Sequence, residues 1–245
     1  MLEKDILIDG GSGLLGLELK KLIPNALFPP SIIFDVTDSL AMERYINQNN
    51  NIKVLVHCAA ITAPPKIEEN PYDALNVNIV GTANIVKLCS SFNLKLIYIS
   101  TDYVFDGVVG NYRESDSVYP TNKYAWSKLG GECAVKMYNN SVIVRLSFGK
   151  NEFPYDGAYD DQWTSREKVS DTAIKLKNII QSDFIGTIHI GSEKRTVYEY
   201  AKSISPEKEI KKLSIKSRAD KIPQDTSLNT NLYKSLFENS VKGTI

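Results

Sequence analysis

Paired cysteines, long apolar runs and an excess of either charge sign are all missing from this chain. Its three cysteines, Cys58, Cys89 and Cys133, lie far apart and form no CxxC pair. That excludes a zinc-type spacing and a disulfide framework, and each thiol sits among apolar neighbours and reads as a core residue. No apolar stretch approaches the ~18 residues of a membrane span. The opening "MLEKDILIDGG" is acidic and enters a strand directly, unlike a signal sequence. Lysine plus arginine and aspartate plus glutamate both number 29, so the formal net charge is zero. Without a basic excess or stripe, a nucleic-acid partner is not expected. His57 and His189 fall inside apolar strands and read as packed core residues, and no carboxylate cluster of ligand spacing accompanies them. No protein-held metal is therefore expected. The 245 residues are 42% hydrophobic, enough for one large core with a small appendage. A soluble protein of a reducing, cytoplasmic compartment is the expectation, with no membrane partner.

What the chain does have is alternation. "DILIDG" (5–10), "KVLVHCAA" (53–60), "LKLIYIS" (94–100), "SVIVRLS" (141–147) and "TIHIGS" (187–192) read as strands, several apolar throughout as buried parallel strands are. Helical patterns fall at about 14–22, 39–49, 71–92, 122–138 and 169–182. Asp38 and Ser39 can cap the second, and Ser170 with Asp171 the last. The start of "NALFPPSIIFDVTD" (25–38) suggests one more short strand, with Pro29-Pro30 at its end or in the loop beyond. Strand and helix in alternation predict an α/β fold with a doubly wound parallel sheet. After Ser147 the alternation loosens into polar and aromatic sequence, which reads as a long loop or substrate-facing segment. The expected division is a dinucleotide-binding domain over 1–150 and a shortened substrate-side part over 151–245, interleaved with the last sheet elements. The final thirty residues suggest a strand, a proline-containing loop and a short helix.

The first chemical motif is Gly10-x-x-Gly13-x-x-Gly16, between the first apolar strand and an amphipathic helix. Glycine permits the tight turn, lets a pyrophosphate approach the backbone and lets helix pack on strand. The helix N-terminus then offers free N–H groups and a partial positive charge. The ribose reader is less defined. If "ALFPP" is the second strand, its end holds Phe28, Pro29 and Pro30 with no charge, and Asp35 and Asp38 follow. No basic residue stands there, which leans toward NAD, but NADH and NADPH both stay open.

The second motif is Tyr124 and Lys128, four apart in a helical pattern and so on one face. A tyrosine acting as general acid near neutral pH must titrate roughly three units below its free value of about 10, a cost of roughly 4 kcal/mol. One ammonium at ~4 Å supplies about that in an effective dielectric near 20. The YxxxK pattern recurs at Tyr119–Lys123 and Tyr198–Lys202. Pro120 makes a continuous helix through the first copy unfavourable, and the second has no hydroxyl-bearing strand end ahead of it. Tyr124 does: Ser100-Thr101 end the preceding strand, where ligands of such sheets bind. Tyr103 lacks a helical lysine partner and is not the general acid.

At these residues the sequence resembles an extended short-chain dehydrogenase/reductase, and within it the dTDP-4-dehydrorhamnose reductase family. The resemblance rests on "DGGSGLLG" (9–16), "DVTD" (35–38), "VLVHCAAIT" (54–62), "NVNIVGTANI" (76–85), "STDYVFDG" (100–107), "YRESDSVYPTNKYAWSKLGGE" (112–132) and "VRLSF" (144–148). Beyond 150, "DQWTSREKVSDTA" (161–173) resembles the substrate-side segment more loosely. It implies a Rossmann-type fold and reduction of a 4-keto group on a nucleotide sugar by NADH or NADPH. Thr101, Tyr124 and Lys128 would be catalytic. Gly10, Ser12, Gly13, Leu14, Leu15 and Gly16 would surround the pyrophosphate, with Asp35 and Val36 near the adenine. Ala59, Ala60, Thr62 and Asn78 would follow the cofactor, and Ser147 would approach the nicotinamide. Val104 and Phe105 would wall the substrate side. Trp163 could stack on a base or sugar, and Arg166 could clamp a diphosphate. A Mg2+ ion at the substrate phosphates and a homodimer stay open.

Three departures stand out: Ala125 replaces a usual glycine, the second-strand end lacks a clear ribose reader, and the chain is short for the family, with the loss between Ser147 and Asp161. A dehydratase would want an Asp-Glu pair after Thr101, whereas Asp102 and Tyr103 stand there. Two alternatives remain. One is a nucleotide-sugar epimerase using the same triad; the other is a non-catalytic cofactor-binding subunit resembling the regulatory subunit of methionine adenosyltransferase.

Overall fold

The computed structural model describes residues 1–217 and 222–238. It divides into two compact units. Unit 1 comprises Met1–Ser100, Asn122–Val144 and Ala173–Thr187; unit 2 comprises Thr101–Thr121, Arg145–Thr172 and the described part of 188–245.

Unit 1 is organised by a five-stranded sheet in the order β1 (Ile6–Ile8), β2 (Val54–His57), β3 (Lys95–Ile99), β4 (Ser141–Arg145) and β9 (Gly186–His189). The pairs β1–β2, β2–β3 and β3–β4 are parallel. The expected further strand at 25–38 is reduced to one bridge, Leu27 beside Leu7. Leu27 exchanges backbone hydrogen bonds with Ile6 and Ile8. Pro29 and Pro30 follow and carry no N–H to extend the ladder.

Helices α1 (Leu14–Leu22), α2 (Ser39–Gln48), α3 (Pro64–Glu69), α4 (Tyr72–Ala74), α5 (Thr82–Phe92), α6 (Lys123–Val135) and α7 (Val169–Ile180) accompany the sheet. Strand residues Leu7, Leu55, Leu96, Tyr98 and Ile143 share one core with Met42 and Ile46 of α2, Ile85 and Leu88 of α5, and Val135 of α6. The alternate strand residues are buried as well, as a sheet covered on both faces requires. Asp38 caps α2 through Ala41 N–H at 3.0 Å, as expected. Ser170 and Asp171 do not cap α7, because the helix already begins at Val169; Ser170 N–H instead donates to Asn151 Oδ1 at 3.2 Å. The single helix expected over 71–92 is interrupted by a π-helical stretch, Leu75–Gly81. There Gly81 packs so closely on Val36 that a Cβ would lie 2.7 Å from its Cγ2.

Unit 2 replaces the expected long loop after Ser147 with short ladders. β5 (Phe148–Gly149) pairs with β8 (Glu167–Lys168), β7 (Trp163–Thr164) with β10 (Arg195–Thr196), and β6 (Gly157–Tyr159) with β11 (Lys211–Leu213). Helix α8 (Val197–Ile204) is closed by a capping box between Thr196 and Glu199. Phe153, Ala158, Tyr200, Ala201 and Ile210 form a second, smaller core. Within the final thirty residues, the described part holds α9 (Asn231–Tyr233) and a π turn, Lys234–Glu238, after the proline-containing loop. The rest of that expectation lies outside the described residues. Among the described residues no helix is long and apolar enough to cross a membrane. Cys89 is buried and Cys58 half-buried, but Cys133 is exposed, so the core assignment fails for that thiol.

Candidate active site

The glycine-rich turn sits between β1 and α1. Gly10 has φ +63°, and a Cβ there would meet Ala59 N at 2.7 Å. A Cβ at Gly16 would lie 2.6 Å from Gly10 O. The turn thus needs glycine both for its backbone angle and for helix-to-strand contact. Ser12, Gly13 and Leu14 are exposed while Leu15 and Gly16 are buried. Gly13, the N-cap of α1, supplies no side-chain cap, so the first turn presents its N–H groups outward. Such a turn fits the phosphates of a dinucleotide.

Asp9, just before the turn, received no role in the sequence reading, yet it organises this end of the sheet. It is 2% exposed, and its Oδ1 accepts the N–H groups of Cys58 and Ala59, each at 2.7 Å. Its Oδ2 lies 2.6 Å from His57 Nδ1, and His57 Nε2 lies 3.0 Å from Thr82 Oγ1. His57 is indeed buried, but as a member of a polar chain rather than as apolar packing. Asn78 is fully buried too: Oδ1 accepts Ile61 N–H at 2.8 Å, and Nδ2 donates to Ile61 O at 3.0 Å and Ser127 Oγ at 2.8 Å. Its amide therefore pins the segment holding Ala59, Ala60 and Thr62. Asp35 is exposed and accepts both the N–H and hydroxyl of Thr37, at 2.8 and 2.7 Å. Val36 is buried beneath Gly81.

Tyr124 and Lys128 both lie on α6, which starts from an Asn122 cap. Tyr124 is half-buried. Lys128 is only 3% exposed, with its ammonium 4.2 Å above the Tyr98 ring. The Tyr98 hydroxyl donates to Lys128 O at 3.0 Å. Burial pulls the lysine pKa down to about 8, and the charges of Glu132 and Asp9 oppose that fall. Glu132, one turn further along α6, accepts the Ser100 hydroxyl at 2.5 Å. Tyr98 and Glu132 were not singled out in the sequence. A tyrosine on β3 two residues before the hydroxyl pair, and an acid at i+4 from the lysine, were the available signals. Neither false copy of YxxxK matches this setting. Tyr119 lies outside α6, and Lys202 on α8 spends its ammonium on Pro206 O and Lys208 O.

Unit 2 gathers Thr101, Ser147 and Arg166. Thr101 caps the short helical turn Asp102–Val104 by accepting Tyr103 N–H at 3.2 Å. Arg166 Nε donates to Ser147 Oγ at 3.3 Å. Trp163 is half-buried, its backbone N–H donates to Gln224 O at 2.7 Å, and the Lys194 ammonium stands 5.2 Å from its ring. Val104 and Phe105 do not form an open substrate wall. Both are fully buried, and Phe105 stacks on Tyr112 at 4.2 Å with Arg145 on the ring and His189 at its edge. His189 is buried as expected; its Nδ1 lies 3.0 Å from Tyr112 O, and burial with nearby Arg145 pushes its pKa down to about 3. Among the described residues no group of three or more His, Cys, Asp or Glu side chains gathers as a metal site.

A parallel α/β sheet with a glycine-rich turn after its first strand, and a helical Tyr-x-x-x-Lys, define the Rossmann-type class of extended short-chain dehydrogenases/reductases. The sequence pattern of the RmlD substrate binding domain matches residues 4–152, and the chain belongs to that family. Among curated relatives, methionine adenosyltransferase 2 subunit beta of Pongo abelii is 30% identical over 237 residues. That alignment covers 82% of this chain and 71% of the relative. The same subunit of Bos taurus is 34% identical over 178 residues, 62% of this chain and 53% of the relative. The dTDP-4-dehydrorhamnose reductase of Mycobacterium tuberculosis is 34% identical over 153 residues, 58% of this chain and 49% of the relative. The chain therefore spans about half to seven-tenths of these proteins.

The solved dTDP-4-dehydrorhamnose reductase of Bacillus anthracis, in complex with NADP, superposes with TM-score 0.82 at 24% identity, covering 98% of this chain and 92% of that one.

Proposed function

We propose that the protein is an NAD(P)H-dependent reductase of a 4-keto group on a nucleotide-activated deoxysugar. The observation that carries this reading is Lys128: an ammonium buried on the face of α6 that bears Tyr124, seated on Tyr98 and offset by Glu132. Burying a lysine is costly unless its charge is used. The nicotinamide, when bound, supplies hydride to the carbonyl carbon. The roles of the side chains follow the family resemblance. Tyr124 gives its phenolic proton to the carbonyl oxygen, Lys128 favours the tyrosinate left behind, and Thr101 donates a hydrogen bond to that oxygen. The turn at Gly10–Gly16 holds the pyrophosphate, a placement supported by its outward N–H groups and by the NADP-bound neighbour.

The test is titration with NADH and NADPH, followed by cofactor oxidation against a panel of 4-keto nucleotide sugars. Turnover of at least one is expected. Tyr124→Phe should lower kcat by about 10²–10⁴-fold, the usual worth of a general acid, with cofactor affinity nearly intact. Survival of activity in that variant removes Tyr124 from the proton-donor role.

A second reading has its own support. The alignment with methionine adenosyltransferase 2 subunit beta covers 82% of this chain, against 58% for the Mycobacterium tuberculosis reductase. In that reading the chain binds cofactor and modulates a catalytic partner. Cofactor binding without turnover of any sugar, together with altered activity of an added methionine adenosyltransferase, would favour it. An epimerase would instead return product without net cofactor oxidation.

A further inference from the structure

The hydroxyl of Thr101 has one proton, and its neighbours decide where that proton points. Thr101 Oγ1 accepts Tyr103 N–H at 3.2 Å and lies 3.1 Å from Asp102 Oδ1. With Asp102 ionised, the hydroxyl proton is spent on the carboxylate and none is left for a substrate oxygen. The carboxyl is itself enclosed. Asp102 is 3% exposed, and its Oδ2 accepts the Thr226 hydroxyl at 2.7 Å. Thr226 comes from a segment far along the chain that is fastened within unit 2 on both sides. The backbone N–H of Trp163 donates to Gln224 O and that of Tyr112 to Ser227 O, while Asp225 is held by Lys194 and by the Ser227 hydroxyl.

We propose that Asp102 and Thr226 form a positioning pair behind Thr101, with the Asp102 carboxyl in its acid form donating to Thr101 Oγ1 and so releasing the Thr101 hydroxyl proton for a carbonyl oxygen. The Asp102 proton and the printed contacts of Thr101 and Thr226 are then accounted for, and the Thr101 hydroxyl proton is left over. Oδ1–H donates to Thr101 Oγ1, whose remaining lone pair takes the Tyr103 N–H. Oδ2, now the carbonyl oxygen, takes the Thr226 hydroxyl. The groups facing Asp102 are the Arg166 guanidinium and the hydroxyls of Thr101, Ser147 and Thr226, all of which favour the carboxylate. Burial outweighs them and holds the carboxyl above its ordinary range. Only the use made of the released proton rests on the reductase reading.

Infrared difference spectroscopy tests the pair without requiring activity. At neutral pH the protein should show a carboxylic-acid carbonyl stretch that shifts with ¹³C-aspartate labelling and is missing from Asp102→Asn. Thr226→Val should move that stretch to higher wavenumber, as a carbonyl losing a hydrogen bond does. No such band at neutral pH overturns the acid form, and an unmoved band removes Thr226. In active enzyme, Asp102→Ala should lower kcat about tenfold, as for one lost hydrogen bond, with cofactor KM unchanged. Asp102→Asn, whose amide donates to Thr101 at every pH, should recover most of that loss. Equal impairment of the Asn and Ala variants overturns the proposal. An acid band in a protein that reduces no 4-keto sugar supports the pair and sinks the reductase reading instead.

Discussion

In unit 1, strands β2 and β3 share four parallel partner pairs, from Val54 with Lys95 to His57 with Tyr98; in unit 2, β5 and β8 share two. The first unit stands on repeating ladders and one large apolar cluster. The second stands on individual contacts: Phe105 against Tyr112, Arg145 and His189, the Asp225 carboxylate among Lys194 and Ser227, and Thr226 on Asp102. A ladder spreads the loss from one substitution over many neighbours, whereas a single contact has no substitute. Unit 1 also encloses polar side chains within its apolar frame, among them Asp9, His57, Lys128 and Glu132.

Those enclosed polar side chains give the largest expected effect. Lys128→Met should lower kcat by about 10²–10³-fold, the range seen for losing one electrostatic stabiliser of a transition state. Thermal stability should hold, because methionine suits the buried site better than an ammonium does. In the unaltered protein, Lys128 carries its charge below its pKa of about 8 and loses it above. The kcat should therefore fall as pH rises through that value. A flat profile from pH about 7 to 9.5 would separate Lys128 from turnover.

Next comes the apolar core. Leu96 is fully buried at the centre of β3, and Leu96→Ala should cost about 3–4 kcal/mol by denaturant unfolding. In unit 2, Gly110 has φ +73° and a Cβ there would run into the Asp225 carboxylate. Gly110→Ala should cost about 2 kcal/mol or more, from the backbone angle alone and the displaced ion pair besides. A loss below about 1 kcal/mol would show that unit 2 yields more easily than its single contacts suggest.

The smallest test compares helix caps. Asn122 Oδ1 accepts Ala125 N–H at 2.8 Å in α6, and Thr196 Oγ1 accepts Glu199 N–H at 3.1 Å in α8. Each cap changed to alanine should cost about 1 kcal/mol. A much larger loss at Thr196 than at Asn122, read from hydrogen exchange in each helix, would support the contrast between the units.

Legibility in the sequence follows the same contrast. Leu14–Leu22 formed as the pattern predicted, and the five apolar runs became the five strands of the sheet. Buried parallel strands and amphipathic helices announce themselves by period alone. The short strands β5 to β8 carry no period to read, since two or three residues cannot show one. The short strand expected at the start of 25–38 shrinks to the Leu27 bridge because Pro29 and Pro30 carry no N–H to extend the ladder. Val104 and Phe105 were misjudged because an apolar pair beside a motif reads the same whether it faces ligand or core.

The order of apolar runs and helices determined the parallel sheet, and the Gly10, Gly13 and Gly16 spacing determined the turn after β1. Both are local, set by side-chain period and by backbone angles that only glycine tolerates. The Tyr124–Lys128 spacing likewise fixed a shared helix face. Only the tertiary structure decided that Lys128 lies buried on Tyr98, that Asp9 clasps Cys58 and Ala59, and that Thr226 reaches Asp102 across 124 residues of chain. Those contacts join side chains whose separation in sequence follows no period, and what sets their proton positions is burial, which no stretch of sequence carries by itself.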